Sequence, residues 1–223
     1  MNDHNNANLS YSGPREDLLS LLPIVCCNVL DIGCNTGLLG ASIKERQPAR
    51  VTGAEVDSAA AAKAAEQIDE VYVGDVENEY FRQRFAGRQF DAVICGDVLE
   101  HLRDPWGLLN FLVTESTQPG AVFIVSLPNV GHWSTFYNVW LRQRWPLNNR
   151  GIHDRTHLRW FTVRDAVSLL KDNGLQIDVV RKKPRLIEAI HPWNGGWIER
   201  ILYRFFGNLL VHQVLVRGRK LPC

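Results

Sequence analysis

The chain has no cysteine pairing to read. Its five cysteines, Cys26, Cys27, Cys34, Cys95 and Cys223, are odd in number, and none stands in C-x-x-C spacing. That argues against a disulfide framework or a cysteine-held zinc site and points to reduced thiols of the cytoplasm. No charge of one sign dominates: 25 Lys and Arg stand against 24 Asp and Glu, for a formal net charge of +1. No basic footprint for nucleic acid is expected. No apolar run reaches the roughly 18 residues needed to cross a bilayer, so no integral membrane segment is expected. Met1 to Leu9 are rich in Asn and lack the charged-then-apolar order of a signal peptide.

What is present is a 45% apolar chain of 223 residues with seven Trp and nine Phe. This is enough for a real core and fits one α/β domain over 1–223, with residues 1–10 expected to be mobile. Strands are expected at 25–32, 51–56, 71–73, 90–95, 121–127, 175–180 and 212–216. Helices are expected at 11–22, 38–45, 59–67, from the Asp104–Pro105 cap onward, and at 163–171 behind a Thr162–Asp165 capping box. Strands alternating with helices imply a parallel sheet covered on both faces. Two stretches break the rhythm, 128–160 and 184–210. Lying after the fifth and sixth strands, they are read as acceptor-site or lid insertions. Within the second, Trp193 to Leu210 reads as an amphipathic lid or core helix. A dimer contact or a weak membrane-surface contact is the minority reading.

The most informative run is VLDIGCNTGLLG at 29–40. A buried strand feeds a tight glycine turn and a helix, placing free backbone N–H groups at the strand's carboxyl end, where nucleotide-like cofactors bind. The G-x-G-x-x-G spacing of a dinucleotide loop is missing; the pattern is D-x-G-x-x-x-G, with Asn35 between Gly33 and Gly37. The pattern resembles the first motif of class I S-adenosylmethionine-dependent methyltransferases. Further matches follow in order: Glu55 at the end of the second strand, Asp75 after the third, DAVICGDVLEHL at 91–102 and QPGAVFIVS at 118–126.

The resemblance covers roughly residues 25 to 130. It implies a Rossmann-like three-layer α/β/α sandwich whose seven-stranded, mostly parallel sheet ends in an antiparallel strand, with S-adenosyl-L-methionine as cofactor. It assigns Gly33, Cys34, Asn35, Gly37, Glu55, Val56, Asp75, Val76, Cys95 and Gly96 to that cofactor. Glu55 would accept the ribose hydroxyls, Asp75 would face the adenine amino group and Val76 would lie against the ring. Asp31 would brace the glycine turn or meet the methionine amino group. Tyr11 and Arg15 would close over the methionine carboxylate. Asn35 departs from the family's usual Gly, yet tolerates positive φ.

For chemistry, His101 is the candidate general base, since an imidazole with an ordinary pKa near 6.5 can take a hydroxyl proton. DRTHLRWFT at 154–162 and SLPNVGHW at 126–133 are similar to a subset of class I methyltransferases associated with glycosyltransferases and surface-sugar assembly. They offer His153, Asp154 and His157 as further catalytic candidates, and Asn129, His132, Trp133 and Arg155 as acceptor contacts. A structural role for Asp154 and His157 stays open. His153 and His157 have the i, i+4 spacing of a metal pair but no third ligand, so no metal is expected. Arg142, Arg144, Arg150, Arg155 and Arg159 share a window with Trp140, Trp145 and Trp160, which suits an anionic, stackable small molecule. The expected activity is methyl transfer to a small-molecule hydroxyl, a sugar or phosphate-linked sugar first. An accessory subunit that binds a partner enzyme, and a nicotinamide-dependent oxidoreductase, are the rival readings.

Overall fold

The computed structural model describes residues 14–187 and 194–221. The expected mobile N-terminus, Tyr11, Trp193 and Cys223 lie outside them. Seven strands form one sheet: β1 (Asn28–Ile32), β2 (Arg50–Glu55), β3 (Glu70–Val73), β4 (Phe90–Gly96), β5 (Thr117–Pro128), β6 (Leu175–Pro184) and β7 (Val211–Lys220). Their order is β3-β2-β1-β4-β5-β7-β6. Pairing is parallel from β3 to β5, and β7 runs antiparallel to both β5 and β6. The expected mostly parallel sheet with an antiparallel last strand is therefore what the chain builds.

Side chains alternate across the sheet, as strands require. Val29, Val51, Ile94 and Ile124 pack on one face with Leu18, Leu39, Ile43 and Ala64. These come from or flank α1 (Glu16–Leu19), α2 (Leu38–Arg46) and α3 (Ser58–Ala64). Leu30, Ile32, Cys95, Phe123 and Val125 pack on the other face. That face is covered by α4 (Glu79–Phe85), α5 (Pro105–Phe111) and, later in the chain, a helix at Val163–Asp172. α4 is absent from the sequence expectations. Its signal is short, an Asn78 cap followed by Phe81 and Phe85 one turn apart, and both rings are fully buried and stacked.

Other boundaries move. α1 is a single turn, and β5 begins at Thr117, so Pro119 and Gly120 lie within the strand at a register shift rather than in a turn before it. The break in the strand–helix rhythm at 128–160 is real. It contains α6 (Trp133–Phe136), one π turn (Tyr137–Leu141) and a long loop before α7 (Val163–Asp172). The amphipathic stretch folds as α8 (Trp197–Phe206), but it is not a core helix: Trp197 and Phe205 are 73% and 77% exposed. Among the described residues, no helix is long and apolar enough to cross a membrane.

Candidate active site

The parallel order reverses between β1 and β4, and a crevice opens at the carboxyl ends of these two strands. Three consecutive odd positions, Gly33, Asn35 and Gly37, have φ of +73°, +49° and +81°. A Cβ on Gly33 would press on Val98, and one on Gly37 would stand 3.0 Å from the Ala64 backbone. The loop therefore needs glycine at its two ends and tolerates Asn between them.

Glu55 sits against this loop. Its Oε2 accepts the Asn35 N–H at 2.9 Å, and its Oε1 accepts the Val56 and Asp57 N–H groups at 2.9 and 3.0 Å. Three donors anchor the carboxylate and leave lone-pair capacity on Oε2.

The cleft beside the loop is lined by Arg15, Asp31, Gly33, Cys34, Asn35 and Gly96, among others. Asp31 is buried at its floor, and burial pushes its carboxyl up to about 7. The Glu55 charge adds to the rise and Arg15 opposes it. Burial also raises the Cys34 thiol, so no thiolate nucleophile forms there.

Arg15 is the one cation lining the cleft among the described residues, and it is already engaged. Its Nη1 donates to Asp97 at 2.7 Å, its Nε to Asp17 at 3.0 Å and its Nη2 to Ser126 at 3.2 Å. Asp97, itself at φ +56°, also accepts from Ser126 Oγ and Gln213 Nε2, each at 2.7 Å. Against their burial, these carboxylates raise the Arg15 pKa, while Arg15 and Lys183 hold Asp17 at about 2. The cleft thus offers the Asp31 carboxyl and no spare cation, a lining suited to a cationic ligand and unsuited to a pyrophosphate.

Asp75 follows β3 and is 45% exposed at its side chain. Its Oδ2 accepts from Arg103 at 3.1 Å. Arg103 also donates to Glu77, whose carboxylate is held low, despite partial burial, by the Arg103 and Asp104 N–H groups. Val76 is buried in the core, whereas Val56 presents an apolar side chain 71% exposed. Cys95 is fully buried in the core and does not line the cleft.

Beyond Gly96, a single 3-10 turn (Leu99–His101) carries Glu100 and His101. The loop holding His157 is stitched onto it: Leu158 and Arg159 donate their N–H groups to the Glu100 carbonyl at 2.8 and 3.0 Å. The His101 and His157 rings meet edge to face at 4.8 Å. Burial and the His101 neighbour lower the His157 pKa, so its ring is neutral at neutral pH.

The other acceptor candidates do not join this cluster. Asn129 is buried and bridges to the Asn208 and Val211 carbonyls. His132 caps α6 and reaches the Arg185 carbonyl, and Trp133 donates to Leu186. His153 is fully buried against Thr135 and Trp145. Asp154 accepts the Thr156 N–H and hydroxyl, closing a turn. Arg155 is exposed. In each of these but Arg155, the polar atoms are used to fix the loop, which is what buried polar groups usually do.

A family model described as a methyltransferase domain matches residues 7–180. The chain belongs to this family. Its fold agrees: a SAM-dependent methyltransferase from Archaeoglobus fulgidus superposes with a TM-score of 0.64 at 16% identity, covering 92% of each chain. One from Mesorhizobium loti gives 0.62 at 17%, covering 95% of this chain and all of that one. Over 106 residues the chain is 36% identical to the ubiquinone biosynthesis O-methyltransferase of Erwinia tasmaniensis, 44% of this chain and 42% of that protein. The matched stretch thus spans less than half of that relative.

The raised Asp31 pKa predicts pH-dependent binding of the expected cofactor, S-adenosylmethionine. The ionised form of Asp31, the one suited to an ammonium, is scarce below pH 7. Affinity for the cofactor is expected to climb by up to about tenfold per unit from pH 5 to 7 and to level off above. Calorimetry across that range checks it, and Asp31→Asn should flatten the profile.

Proposed function

We propose that the protein methylates a hydroxyl of a small molecule, with a sugar or phosphate-linked sugar as the acceptor class. The observation that carries this reading is the His101–His157 pair, set on the turn that leaves the cofactor cleft at Gly96. When bound, the cofactor supplies an electrophilic methyl carbon on sulfur. The protein's part is to hold the acceptor oxygen in line and deal with its proton.

The cleft residues divide accordingly. Glu55 grips the ribose while holding the glycine loop. Asp31 meets the amino group, and Asp75 with Val56 borders the adenine. Arg15 shapes the cleft wall through Asp97. An oxygen acceptor accords with the Erwinia tasmaniensis relative being named an O-methyltransferase. The anionic sugar class rests on the exposed Trp140, Trp145 and Trp160 beside the exposed Arg142, Arg144, Arg150 and Arg155. The free cysteines support a cytoplasmic setting.

The test is a product assay with methyl-labelled cofactor against a panel of sugar nucleotides, polyprenyl-phosphate sugars, catechols and amines. A methyl ether from a sugar-bearing acceptor is the expected product. Label found only on catechol oxygen would move the acceptor class, and label only on nitrogen would overturn the reading.

A further inference from the structure

Glu100 is a buried carboxyl that the described residues leave partly unsatisfied. It is 1% exposed, and its Oε2 has no hydrogen-bond partner. An ionised carboxylate buried without a partner is costly, and its usual resolutions are a proton or a cation.

Two imidazoles complete the surroundings. A carboxylate oxygen of Glu100 and one ring nitrogen each of His101 and His157 lie within 4.8 Å of one another. Each ring is oriented through Nδ1. His157 Nδ1 lies 3.1 Å from the Ile152 carbonyl, and His101 Nδ1 lies 3.3 Å from the Thr156 carbonyl and 3.1 Å from its hydroxyl. A ring that gives its Nδ1 proton to a carbonyl keeps its Nε2 lone pair free, the arrangement that orients metal-bound histidines.

We propose that Glu100, His101 and His157 form a divalent-metal site that presents the acceptor hydroxyl. This rests on the methyltransferase reading for its purpose, though not for the ion binding itself. Two nitrogens and one carboxylate select a first-row ion such as Zn²⁺, Mn²⁺ or Co²⁺ over Mg²⁺ or Ca²⁺, which favour oxygen ligands. Ligands about 2.1 Å from an ion stand at most about 4.2 Å apart, so the 4.8 Å spread closes with small side-chain rotations.

Three protein ligands leave positions open for acceptor oxygens, and an acceptor with two adjacent hydroxyls would chelate there. An ion held there would lower the pKa of the bound hydroxyl; its proton would pass to solvent, and the oxygen would take the methyl carbon as the carbon–sulfur bond breaks and the neutral thioether leaves. His101 is then a ligand rather than the proton acceptor expected from sequence.

The test is titration of the chelator-stripped protein with Co²⁺, followed by visible absorption, and with Zn²⁺, followed by calorimetry. One ion per chain with a protein-ligand Co²⁺ spectrum is expected. Glu100→Gln, His101→Ala and His157→Ala should each weaken it by roughly 10- to 100-fold. Cofactor binding to the same metal-free samples, and their melting curves, show that the variants are folded. A spectrum of the hydrated ion alone, or binding unchanged in all three variants, overturns the site. Loss of cofactor binding in the metal-free wild type would instead strike the methyltransferase reading.

Discussion

Replacing Glu55 with Ala is expected to lower the affinity for S-adenosylmethionine by about 100- to 1000-fold. The size follows from the double duty of this carboxylate. It accepts three backbone N–H groups, of which that of Asn35 ties the glycine loop to the end of β2, and in the proposed reading it also accepts the ribose hydroxyls. Hydrogen bonds to a charged group contribute about 1.5–3 kcal/mol each. Losing the ribose contact together with the loop's anchor comes to about 3–4 kcal/mol in binding, which is the stated factor. Glu55→Gln is expected to lose nearly as much, because all three neighbours are donors and an amide offers one acceptor oxygen and a clashing NH₂. Calorimetric titration of both variants checks this, and a change under tenfold would remove Glu55 from the ribose site.

Asp97→Ala is expected to destabilise the fold by about 3–5 kcal/mol, the usual cost of stripping one partner from a buried ion pair. The Asp97 side chain is 8% exposed and that of Arg15 19%, at a contact of 2.7 Å. Without the carboxylate, the guanidinium keeps only Asp17 and Ser126, and the Gln213 amide and Ser126 hydroxyl lose their shared acceptor. For a chain of this size that corresponds to a melting temperature lower by about 6–20 °C. Asp97→Asn keeps an acceptor for Ser126 and should fall between the two. A melting temperature within 2 °C or so of wild type in Asp97→Ala would show that the network is solvated and adds little.

Much of the fold was legible because strands buried on both faces read as apolar runs, and their glycine and Asp punctuation sits at fixed places. β1, β2 and β4 with their tips at Gly33, Glu55 and Gly96 come directly from such runs. α4 was not legible as a helix because seven residues carry only two apolar positions of the helical period. The Asp97–Ser126–Gln213 network escaped for another reason. Its members come from three strand tips far apart in sequence, and each is an unremarkable residue type until the sheet brings them together.

The acceptor side shows the converse. The 126–133 and 153–157 segments are dense in His, Asn and Asp, the residue types of catalysis, yet Asn129, His132, His153 and Asp154 spend those groups on the backbone of a loop with almost no regular structure. Composition cannot separate a loop that needs polar ties from one that offers polar groups to a ligand. Glu100 was legible only as part of a motif. Its burial beside two imidazoles depends on the 151–162 loop folding back onto the turn after β4.

Calorimetric titration of the folded chain with S-adenosylmethionine tests most directly whether Gly33 to Gly37, Glu55 and Asp31 build a cofactor crevice. One saturable site per chain in the wild type, weakened at least a hundredfold in a Glu55→Ala variant that still melts cooperatively, is the expected result. A wild-type chain that melts cooperatively yet takes up no S-adenosylmethionine, or a Glu55→Ala variant that binds it as tightly as wild type, would contradict the account.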